Sequence, residues 1–381
     1  YLITNDAGDF RFVDPDFFRR LKTGDLPQAS LSDLHECGFL ATDDNASLAR
    51  RIRKQYSFLD HGPTLHIIVP TLRCNMQCAY CHASSSEDGA IMDEATADAT
   101  VEFISQVPAK RLAIEFQGGE PLLARRVIEH IVQRFGKTDK EPEFVIVSNL
   151  ARLSDADLRF LVENKVDLCT SLDGPKKVHD ANRHFSGGSH DSVISNIARL
   201  RSSGTRVNAL ATVTRTSLAY AEEIIDEYVK HGISEVHLRF LNKLGVAQER
   251  WDEIGYDAEE FLNFWKRGIK HILENRLVIR ERWASILLRK ILTDEPVGFA
   301  DLQSPCGAAV SQLAYSHDGS IYSCDEGRMC GSDVFRLGDV RMRYADIVRR
   351  PETKATVLSS MNCVCLCRVW TDRTWCAETQ V

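Results

Sequence analysis

The sequence predicts an α/β protein built on a partial (β/α)6 barrel, with a small α+β segment before it and a cysteine-rich segment after it. Six strand-like apolar runs alternate with amphipathic, helix-like runs between residues 62 and 240, a pattern typical of parallel βα units. The twelve cysteines are unevenly placed, with three close together after the first of these strands and seven from Cys306 onward. These observations divide the chain into four predicted parts, residues 1–60, 61–245, 246–300 and 301–381.

Composition is that of an ordinary globular protein. The 381 residues are 44% hydrophobic and 27% charged, and the net charge of −7 argues against a nucleic-acid-binding surface spread over the whole protein. No apolar run approaches the roughly 18 residues of a membrane helix, and no charged-then-apolar leader opens the chain. We therefore expect a cytoplasmic protein with no membrane or nucleic-acid partner, in which the cysteines bind metals or clusters rather than form disulfides.

Residues 1–60 are predicted to form a β-hairpin followed by three helices. Turn-forming residues at 5–8 separate two short apolar runs, and Asp14 and Pro15 suit the start of a helix that Gly24 ends. This order of elements resembles the small winged-helix domain that binds the leader of a ribosomally made precursor peptide by strand addition. The alternative is a cap packed over the barrel, or a partial relic of that peptide-binding domain.

The barrel itself is predicted from periodicity and turn signals. The six strands are Leu65–Val69, Leu112–Phe116, Phe144–Ser148, Asp167–Leu172, Val207–Val213 and Val236–Phe240. The helices between them lie near Glu94–Gln106, Ala124–Phe135, Asp155–Glu163, Ser192–Arg201 and Leu218–Lys230. In such barrels the ligand site lies at the carboxyl ends of the strands, so polar motifs that directly follow a strand are expected to meet there.

A cysteine motif follows the first strand. Cys74, Cys78 and Cys81 have the spacing C-x3-C-x2-C, with Tyr80 before the third cysteine. A [4Fe–4S] cluster takes four ligands, so a loop with three cysteines leaves one iron open. The motif resembles the signature of radical S-adenosylmethionine (radical SAM) enzymes, which implies that SAM binds the open iron and is cleaved to methionine and a 5′-deoxyadenosyl radical. The alternatives are a zinc knuckle and a structural ferredoxin-like site, although zinc cysteines usually come in two separated pairs.

Polar motifs follow the second and third strands. Gly118, Gly119 and Glu120 resemble the GGE motif of the family, which implies contact with the amino group of SAM. Glycines at such a position allow close approach of backbone. Ser148 and Asn149 resemble the polar residues that meet the ribose of SAM. Both motifs are also common in ordinary turns.

The fourth strand leads into a longer motif, S-L-D-G-P followed by H-D-x-x-R. It resembles a stretch of radical SAM peptide maturases, which implies that Ser171 and Arg183 hold SAM, the arginine on its carboxylate. His179 is interpreted as structural and Asp173 as a turn-former. On the sixth strand, Arg239 is expected either to reach a carboxylate at the barrel mouth or to form a surface salt bridge.

The cysteine-rich segment begins with Cys306, Gly319 and Cys324 in the spacing C-x12-G-x4-C. A predicted hairpin of Gln312–Tyr315 and Ile321–Ser323 would bring the two cysteines together. The spacing resembles the opening of the SPASM domain, which implies auxiliary [4Fe–4S] clusters. The further candidate ligands are Cys330, Cys363, Cys365, Cys367 and Cys376.

The end of this segment departs from the SPASM pattern. It has C-x-C-x-C followed by C-x8-C, where the usual steps are C-x2-C and C-x5-C. Seven cysteines are one fewer than two four-thiolate clusters require, so one or two auxiliary clusters are both consistent with the sequence. A structural zinc site is a further alternative.

Residues 304–340 resemble the maturase of the His-Xaa-Ser peptide system, and the likeness extends through most of the chain. It implies a precursor peptide as substrate, with residues 1–60 binding the leader and an external donor such as flavodoxin or ferredoxin supplying electrons. In the related sulfatase-maturing enzymes an Asp directly after a cluster cysteine is proposed to take a proton from the substrate. Asp325 has that place after Cys324, which makes it the candidate catalytic base, with a cap or salt-bridge role as the alternative.

The resemblance therefore implies a radical SAM enzyme that abstracts hydrogen from a peptide and forms an intramolecular cross-link, by a carbon–carbon or thioether bond. Three alternatives stay open. The first is a sulfatase-type maturase that oxidises Cys or Ser to formylglycine, and the second is a radical SAM enzyme that acts on a small molecule. The third is a non-enzymatic iron–sulfur or zinc scaffold.

Overall fold

A computed structural model describes most of the chain as two compact units, Tyr1–His61 and Gly62–Val381. The described residues are 1–5, 9–40, 46–293, 298–303 and 305–361. Four of the predicted ligands, Cys363, Cys365, Cys367 and Cys376, lie outside these ranges. The boundary between the units is next to the predicted one at residue 60, and the division of the remaining chain into three parts stays a prediction.

The first unit contains the predicted hairpin and helices. Its elements are β1 (Leu2–Thr4), β2 (Phe10–Phe12), α1 (Pro15–Thr23), α2 (Gln28–Glu36), α3 (Ala46–Gln55) and a 3₁₀ turn (Ser57–Asp60). The two strands pair antiparallel. The Asp14 side chain accepts a hydrogen bond from the Phe17 N–H at 2.8 Å, and Gly24 ends α1 in the left-handed conformation at φ +73°. The predicted caps of this helix are therefore confirmed.

The second unit is built on parallel strands joined by helices. Its strands are β3 (Leu65–Thr71), β4 (Gln77–Cys78), β5 (Arg111–Gly118), β6 (Glu141–Ser148), β7 (Asp167–Ser171), β8 (Arg183–His184), β9 (Val207–Thr212), β10 (Glu235–Arg239), β11 (Arg280–Glu281), β12 (Gln312–Tyr315), β13 (Ser320–Tyr322) and β14 (Arg336–Asp339).

The helices of this unit lie mainly between the strands. They are α4 (Glu94–Ser105), α5 (Arg125–Phe135), α6 (Asp155–Glu163), α7 (Lys176–Asn182), α8 (His190–Ser202), α9 (Ala221–Lys230), α10 (Val246–Glu249), α11 (Trp251–Ile254), α12 (Ala258–Glu274), α13 (Arg282–Leu292), α14 (Asp325–Met329), α15 (Tyr344–Arg349) and α16 (Pro351–Met361). Short 3₁₀ turns are found at Pro121–Ala124, Arg215–Ala219, Ala300–Leu302 and Asp333–Phe335.

Ten strands form one sheet, in the order β11-β10-β9-β7-β6-β5-β3-β12-β13-β14. The six strands from β10 to β3 are parallel to one another, which confirms the six predicted β/α units. Among the described residues the sheet stays open, with β11 and β14 at its edges. The protein therefore has a partial barrel rather than a closed one, as predicted.

The two faces of the parallel strands differ in chemistry. One face carries apolar side chains that are buried, among them Ile114, Phe116, Leu168 and Leu238. The alternate residues on the same strands point to the opposite face. We call this second face the polar face; among its members are Glu115 and Gln117 of β5, Cys169 of β7, and Glu235, His237 and Arg239 of β10, and these side chains keep partial access to solvent.

The cysteine-rich segment joins the same sheet. Strand β12 pairs parallel with β3 and antiparallel with β13, so the predicted hairpin is confirmed. Buried His66 of β3 shares a hydrogen bond of 2.7 Å with the Tyr315 hydroxyl of β12. In the described part of the chain, no helix has the length and apolar character needed to cross a membrane.

Candidate functional site

The cysteine loop follows β3 and is bound to the segment that follows the fourth parallel strand. Within the loop, Cys78 belongs to β4 and pairs antiparallel with Arg183 of β8. Its neighbour Ala79 donates a backbone hydrogen bond to the Asn182 carbonyl at 2.8 Å. Two parts of the sequence about a hundred residues apart, each singled out by a motif, are therefore in direct contact.

The thiols of this loop are largely removed from water. Cys74 packs with Met76 and Ala151 in a small buried cluster, and Cys78 lies against it. Burial raises the pKa of the Cys78 thiol to about 12, against the attraction of the Arg183 guanidinium, and burial also raises the pKa of Cys74. Such thiols stay protonated unless a bound metal centre stabilises the thiolates.

The donor set fits an iron–sulfur cluster better than a single metal ion. Among the described residues, no three His, Cys, Asp or Glu side chains converge closely enough to hold one ion. A cubane cluster takes each thiolate on a different iron, so its ligands stand farther apart than those of a zinc ion. Three thiols from one loop suit the cluster and leave it one open iron.

Two glycines bring the end of β5 against the cysteine loop. A Cβ atom on Gly118 would lie 2.4 Å from the Thr71 carbonyl oxygen, and one on Gly119 would lie 2.2 Å from the Arg73 carbonyl oxygen. The backbone N–H groups of Gly119 and Glu120 donate to these same carbonyls, at 2.9 and 2.7 Å. Glycine is therefore required at these two positions because the backbone of Thr71 and Arg73 lies so close to them. Contact of the glycines with SAM stays a prediction.

Glu120 joins the ends of β5 and β6. Its buried carboxylate accepts hydrogen bonds from the Ser148 hydroxyl at 2.8 Å, the Asn149 N–H at 2.8 Å and the Leu122 N–H at 3.1 Å. Burial raises the pKa of Glu120 to about 7 although three donors face it. The Asn149 amide in turn donates to the Asn75 side chain at 2.8 Å, which attaches β6 to the cysteine loop.

Asp173 is a second buried carboxylate that joins several elements, a role beyond that of the turn-former expected from the sequence. It accepts hydrogen bonds from the Tyr80 hydroxyl at 2.8 Å, from Arg183 Nε at 3.1 Å and from the Thr212 N–H at 3.1 Å. The signal that could have identified it is an acidic residue directly after a buried apolar strand.

Arg183 lies between this carboxylate and the cluster loop. Its guanidinium stands 5.2 Å from the centre of the Tyr80 ring and 3.8 Å, from Nη1, to the Cys78 sulfur. Ser171 is buried at the end of β7. His179 shares a hydrogen bond of 2.9 Å with Ser189, and burial lowers its pKa to about 4, so the ring is neutral.

A second group of cysteines lies in the C-terminal segment. Cys306 and Cys324 share a buried cluster with Ala308, which confirms the expectation that the hairpin brings them together. Each sulfur accepts a backbone hydrogen bond of 3.2 Å, from Ala308 and Gly327 respectively, an arrangement that stabilises anionic thiolate ligands. Cys330 lies at the end of α14 and is exposed.

Asp325 is the first residue of α14 and is buried beside Cys324. Its carboxylate pairs with Arg328, at 2.8 Å to Nη2 and 2.9 Å to Nε. The salt bridge, one of the two roles expected for Asp325 from the sequence, is therefore present. The catalytic role of Asp325 stays a prediction. Arg239 forms an ion pair of 3.6 Å with the neighbouring Glu326.

The residues singled out by sequence motifs thus form two groups. The cysteine loop and the ends of β5, β6 and β7 are linked by hydrogen bonds through Glu120, Asn149, Asp173 and Arg183. The buried pair Cys306 and Cys324 forms the second group. The cysteines that the sequence adds to this group beyond residue 361 lie outside the described residues.

Comparison with known proteins gives a family match for the part of the chain that contains the cysteine loop and the ends of β5, β6 and β7. Residues 68–228 match the family described as the radical SAM superfamily. The chain is 25% identical over 289 residues to a cysteine-type anaerobic sulfatase-maturating enzyme of Clostridium perfringens, covering 70% of this chain and 75% of that protein.

Solved structures share the fold across most of the chain. The structure of anSMEcpe with bound AdoMet has a TM-score of 0.68 and 21% identity, over 79% of this chain and 84% of that one. Streptococcus suis SuiB bound to its precursor peptide SuiA has a TM-score of 0.61 and 13% identity, over 93% of this chain and 86% of that one. At these identities the likeness establishes the fold.

Proposed function

We propose that this protein, whose residues 68–228 carry a radical SAM domain, binds a [4Fe–4S] cluster and SAM and modifies a ribosomally made peptide. One observation carries the proposal. The loop of Cys74, Cys78 and Cys81 is bonded directly to the carboxyl-end segments of neighbouring parallel strands, through Gly119, Glu120 and Arg183. Once bound there, the cluster and SAM would supply a 5′-deoxyadenosyl radical to the substrate.

The chain's own residues have separate roles in this proposal. The three thiolates of the loop hold the cluster, and the Arg183 guanidinium beside the Cys78 sulfur offsets their negative charge. Asp173 fixes the position of Arg183 and of Tyr80. The proposed SAM contacts are Tyr80, Gly118, Gly119, Glu120, Ser148, Asn149, Ser171 and Arg183.

A second cluster site is proposed at Cys306 and Cys324. The backbone N–H groups that face both sulfurs support their role as ligands. Cys330 and the cysteines at 363, 365, 367 and 376 complete the proposed set, which is sufficient for one auxiliary cluster and short by one thiolate of two. An external donor such as flavodoxin or ferredoxin, in the cytoplasm, would supply electrons.

A peptide substrate is supported by the fold neighbours and by the first unit. Two solved structures of similar fold hold peptides, SuiB with its precursor SuiA and anSMEcpe with the Cp18Cys peptide. In the first unit β1 and β2 pair with each other, and Phe12 is 78% exposed on this hairpin. An exposed strand edge with apolar side chains suits leader capture by strand addition, followed by cross-linking as in the His-Xaa-Ser system.

Oxidation of Cys or Ser to formylglycine is the second candidate. It is favoured by the relationship to the sulfatase-maturating enzyme and by buried Asp325 directly after Cys324, where a carboxylate could accept a substrate proton. The two candidates differ in product. Oxidation of Cys to formylglycine removes the sulfur, whereas cross-linking removes two hydrogens and keeps the sulfur in the peptide, so the product mass separates these two. Oxidation of Ser also removes two hydrogens, and there the aldehyde is identified by its reaction with a hydrazide.

The first experiment is anaerobic SAM cleavage. The protein is reconstituted with iron and sulfide, given SAM and dithionite, and assayed for 5′-deoxyadenosine by mass spectrometry, without and with candidate precursor peptides. Wild type and a Cys37→Ala control, which lacks an exposed cysteine of the first unit, should form the product. A Cys74→Ala, Cys78→Ala, Cys81→Ala variant should form none. A wild-type protein that holds its cluster yet forms no 5′-deoxyadenosine with any peptide would contradict the enzymatic proposal.

A further inference from the structure

The polar face of the sheet offers a site for part of the substrate. On β5, Glu115 and Gln117 keep access to solvent while Ile114 and Phe116 on the opposite face have none. Strand β5 continues from Glu115 into Gly118, which touches the backbone of the cysteine loop. A group bound on this face is therefore held by the strand that leads to the proposed radical site.

The charged side chains around this face are paired, with one exception. Arg239 pairs with Glu326 at 3.6 Å, Arg282 with Glu235 at 3.4 Å, and Arg328 with Asp325 at 2.8 Å. Glu115 accepts a hydrogen bond from the neutral Gln117 amide. Within the described ranges of the chain, no Lys, Arg or His side chain comes within ion-pair distance of the Glu115 carboxylate.

An unpaired carboxylate in this environment is energetically unfavourable. Burial raises the pKa of Glu115, and the Asp325 carboxylate raises it further, against the hydrogen bond from Gln117 and the weaker attraction of Arg239 and Arg282. Both arginines are paired with other carboxylates, Glu326 and Glu235. A desolvated charge of this kind is stabilised when a charge of opposite sign binds next to it. Beside Glu115 in register is Val145, and Val145 and Val147 present apolar surface on the same face.

We propose that Glu115 binds a cationic side chain of the substrate, a lysine or an arginine, whose aliphatic stem lies along Val145 and Val147. The inference rests on the proposed function and deepens it by naming the class of substrate segment that enters the site. Long cationic side chains combine an apolar stem with a charged end, which matches a valine surface beside a carboxylate. Glu115 is in this sense a specificity-determining residue.

Cys169 provides a readout that depends on neither SAM nor the cluster. Cys169 of β7 is in register with Val147 of β6, as Glu115 of β5 is with Val145, so the thiol lies beside the proposed position of the aliphatic stem on the polar face. Burial raises the pKa of this thiol to about 12. Alkylation of Cys169 by the neutral reagent iodoacetamide at about pH 9, where more of the thiol is ionised and reactive, followed by peptide mapping on the full chain, therefore reports on occupancy of this part of the polar face.

The probes are n-butylguanidinium, which imitates an arginine side chain, and n-butylurea, its neutral counterpart of similar shape. In wild type we expect the guanidinium to slow alkylation of Cys169 by about fivefold and the urea to have little effect. In Glu115→Gln the guanidinium should lose its protection. A Glu102→Gln variant removes an exposed carboxylate of α4 and should behave as wild type.

Several outcomes would overturn the inference. Equal protection by both probes, protection that persists in Glu115→Gln, or no protection in wild type would each show that Glu115 binds no cation. Persistence in the glutamine variant would mean that the guanidinium protects Cys169 without the Glu115 charge, because glutamine keeps the size of the side chain but carries no charge. Formation of 5′-deoxyadenosine alongside any of these results would leave the proposed function standing.

Discussion

At the scale of single residues, two buried carboxylates organise the candidate site. Glu120 accepts hydrogen bonds from Ser148, Asn149 and Leu122, and Asp173 accepts them from Tyr80, Arg183 and Thr212. A desolvated carboxylate is tolerated only where several donors face it. Each of these side chains therefore fixes the relative positions of segments that are distant in sequence.

Replacement of Glu120 by Gln should destabilise the protein by about 2 kcal/mol, because an amide NH2 would then face an N–H or O–H donor in a buried site. Ser148→Ala removes one of the three hydrogen bonds to Glu120 and also the bond that the Ser148 hydroxyl accepts from the Leu150 N–H, and it should cost about 1–2 kcal/mol. Urea denaturation of the apo proteins measures both changes. The exposed Glu102→Gln substitution is the control and should have no effect, and a Glu120→Gln variant as stable as wild type would show that these bonds contribute nothing.

At the scale of elements, the contact of β5 with the cysteine loop determines the geometry of the site. Strands β3 and β5 are paired along most of their length, with a register irregularity between Ile68 and Thr71. Beyond it, Gly118 and Gly119 lie against the carbonyls of Thr71 and Arg73. Residues with side chains would force the two segments apart at the point where the loop begins.

Gly119→Ala should therefore displace the cysteine loop and lower the iron bound after anaerobic reconstitution to less than about half of the wild-type content. The new methyl group would lie 2.2 Å from the Arg73 carbonyl oxygen. The control is Gly136→Ala, at the end of α5, where the nearest atom is 3.3 Å away. Iron analysis and circular dichroism together separate a local displacement from unfolding. Normal iron content in Gly119→Ala would refute the packing argument.

At the scale of the whole molecule, buried histidines should govern the response to acid. Burial lowers the pKa of His66 and His237 to about 3 and of His179 to about 4, from an ordinary value of 6.5. At a pH between the lowered pKa values and 6.5, these histidines bind more protons in the unfolded chain than in the folded one. The free energy of unfolding therefore rises with pH up to about 6.5 and falls on acidification. The raised pKa values of Glu115, Glu120 and Glu281 act in the opposite sense, whereas His82, whose pKa burial lowers to about 3, adds to the contribution of the histidines.

Urea midpoints of the apo protein should therefore be lower at about pH 5 than at about pH 7. A His66→Gln variant should show a smaller difference between the two conditions, because it removes one of the groups that must become charged on unfolding. Equal midpoints, or a higher midpoint in acid, would mean that these histidines are not held neutral in the folded protein.

The division into two units leads to a separate expectation for the substrate. Removal of residues 1–61 should leave SAM cleavage in the absence of peptide unchanged, because the cysteine loop and its partners belong to the second unit. If the first unit binds the leader, the truncated protein should no longer bind a precursor peptide, as measured by fluorescence anisotropy. Full peptide binding by the truncated protein would exclude that role. Unchanged turnover of a small substrate would instead favour the small-molecule alternative.

The sequence by itself determined the parallel β/α units, the hairpin of the C-terminal segment, the helix caps and the positions of the motifs. These features follow from local chemistry: strand periodicity, turn residues, and cysteine spacing that suits a cluster. It could not determine what the motif residues touch. That Gly119 faces the backbone of Arg73, and that Glu120 and Asp173 bind protein donors, depends on contacts between segments distant in the chain. Only the tertiary structure decided these contacts, as it did the burial of the Glu115 carboxylate, because desolvation and pairing are properties of the assembled sheet.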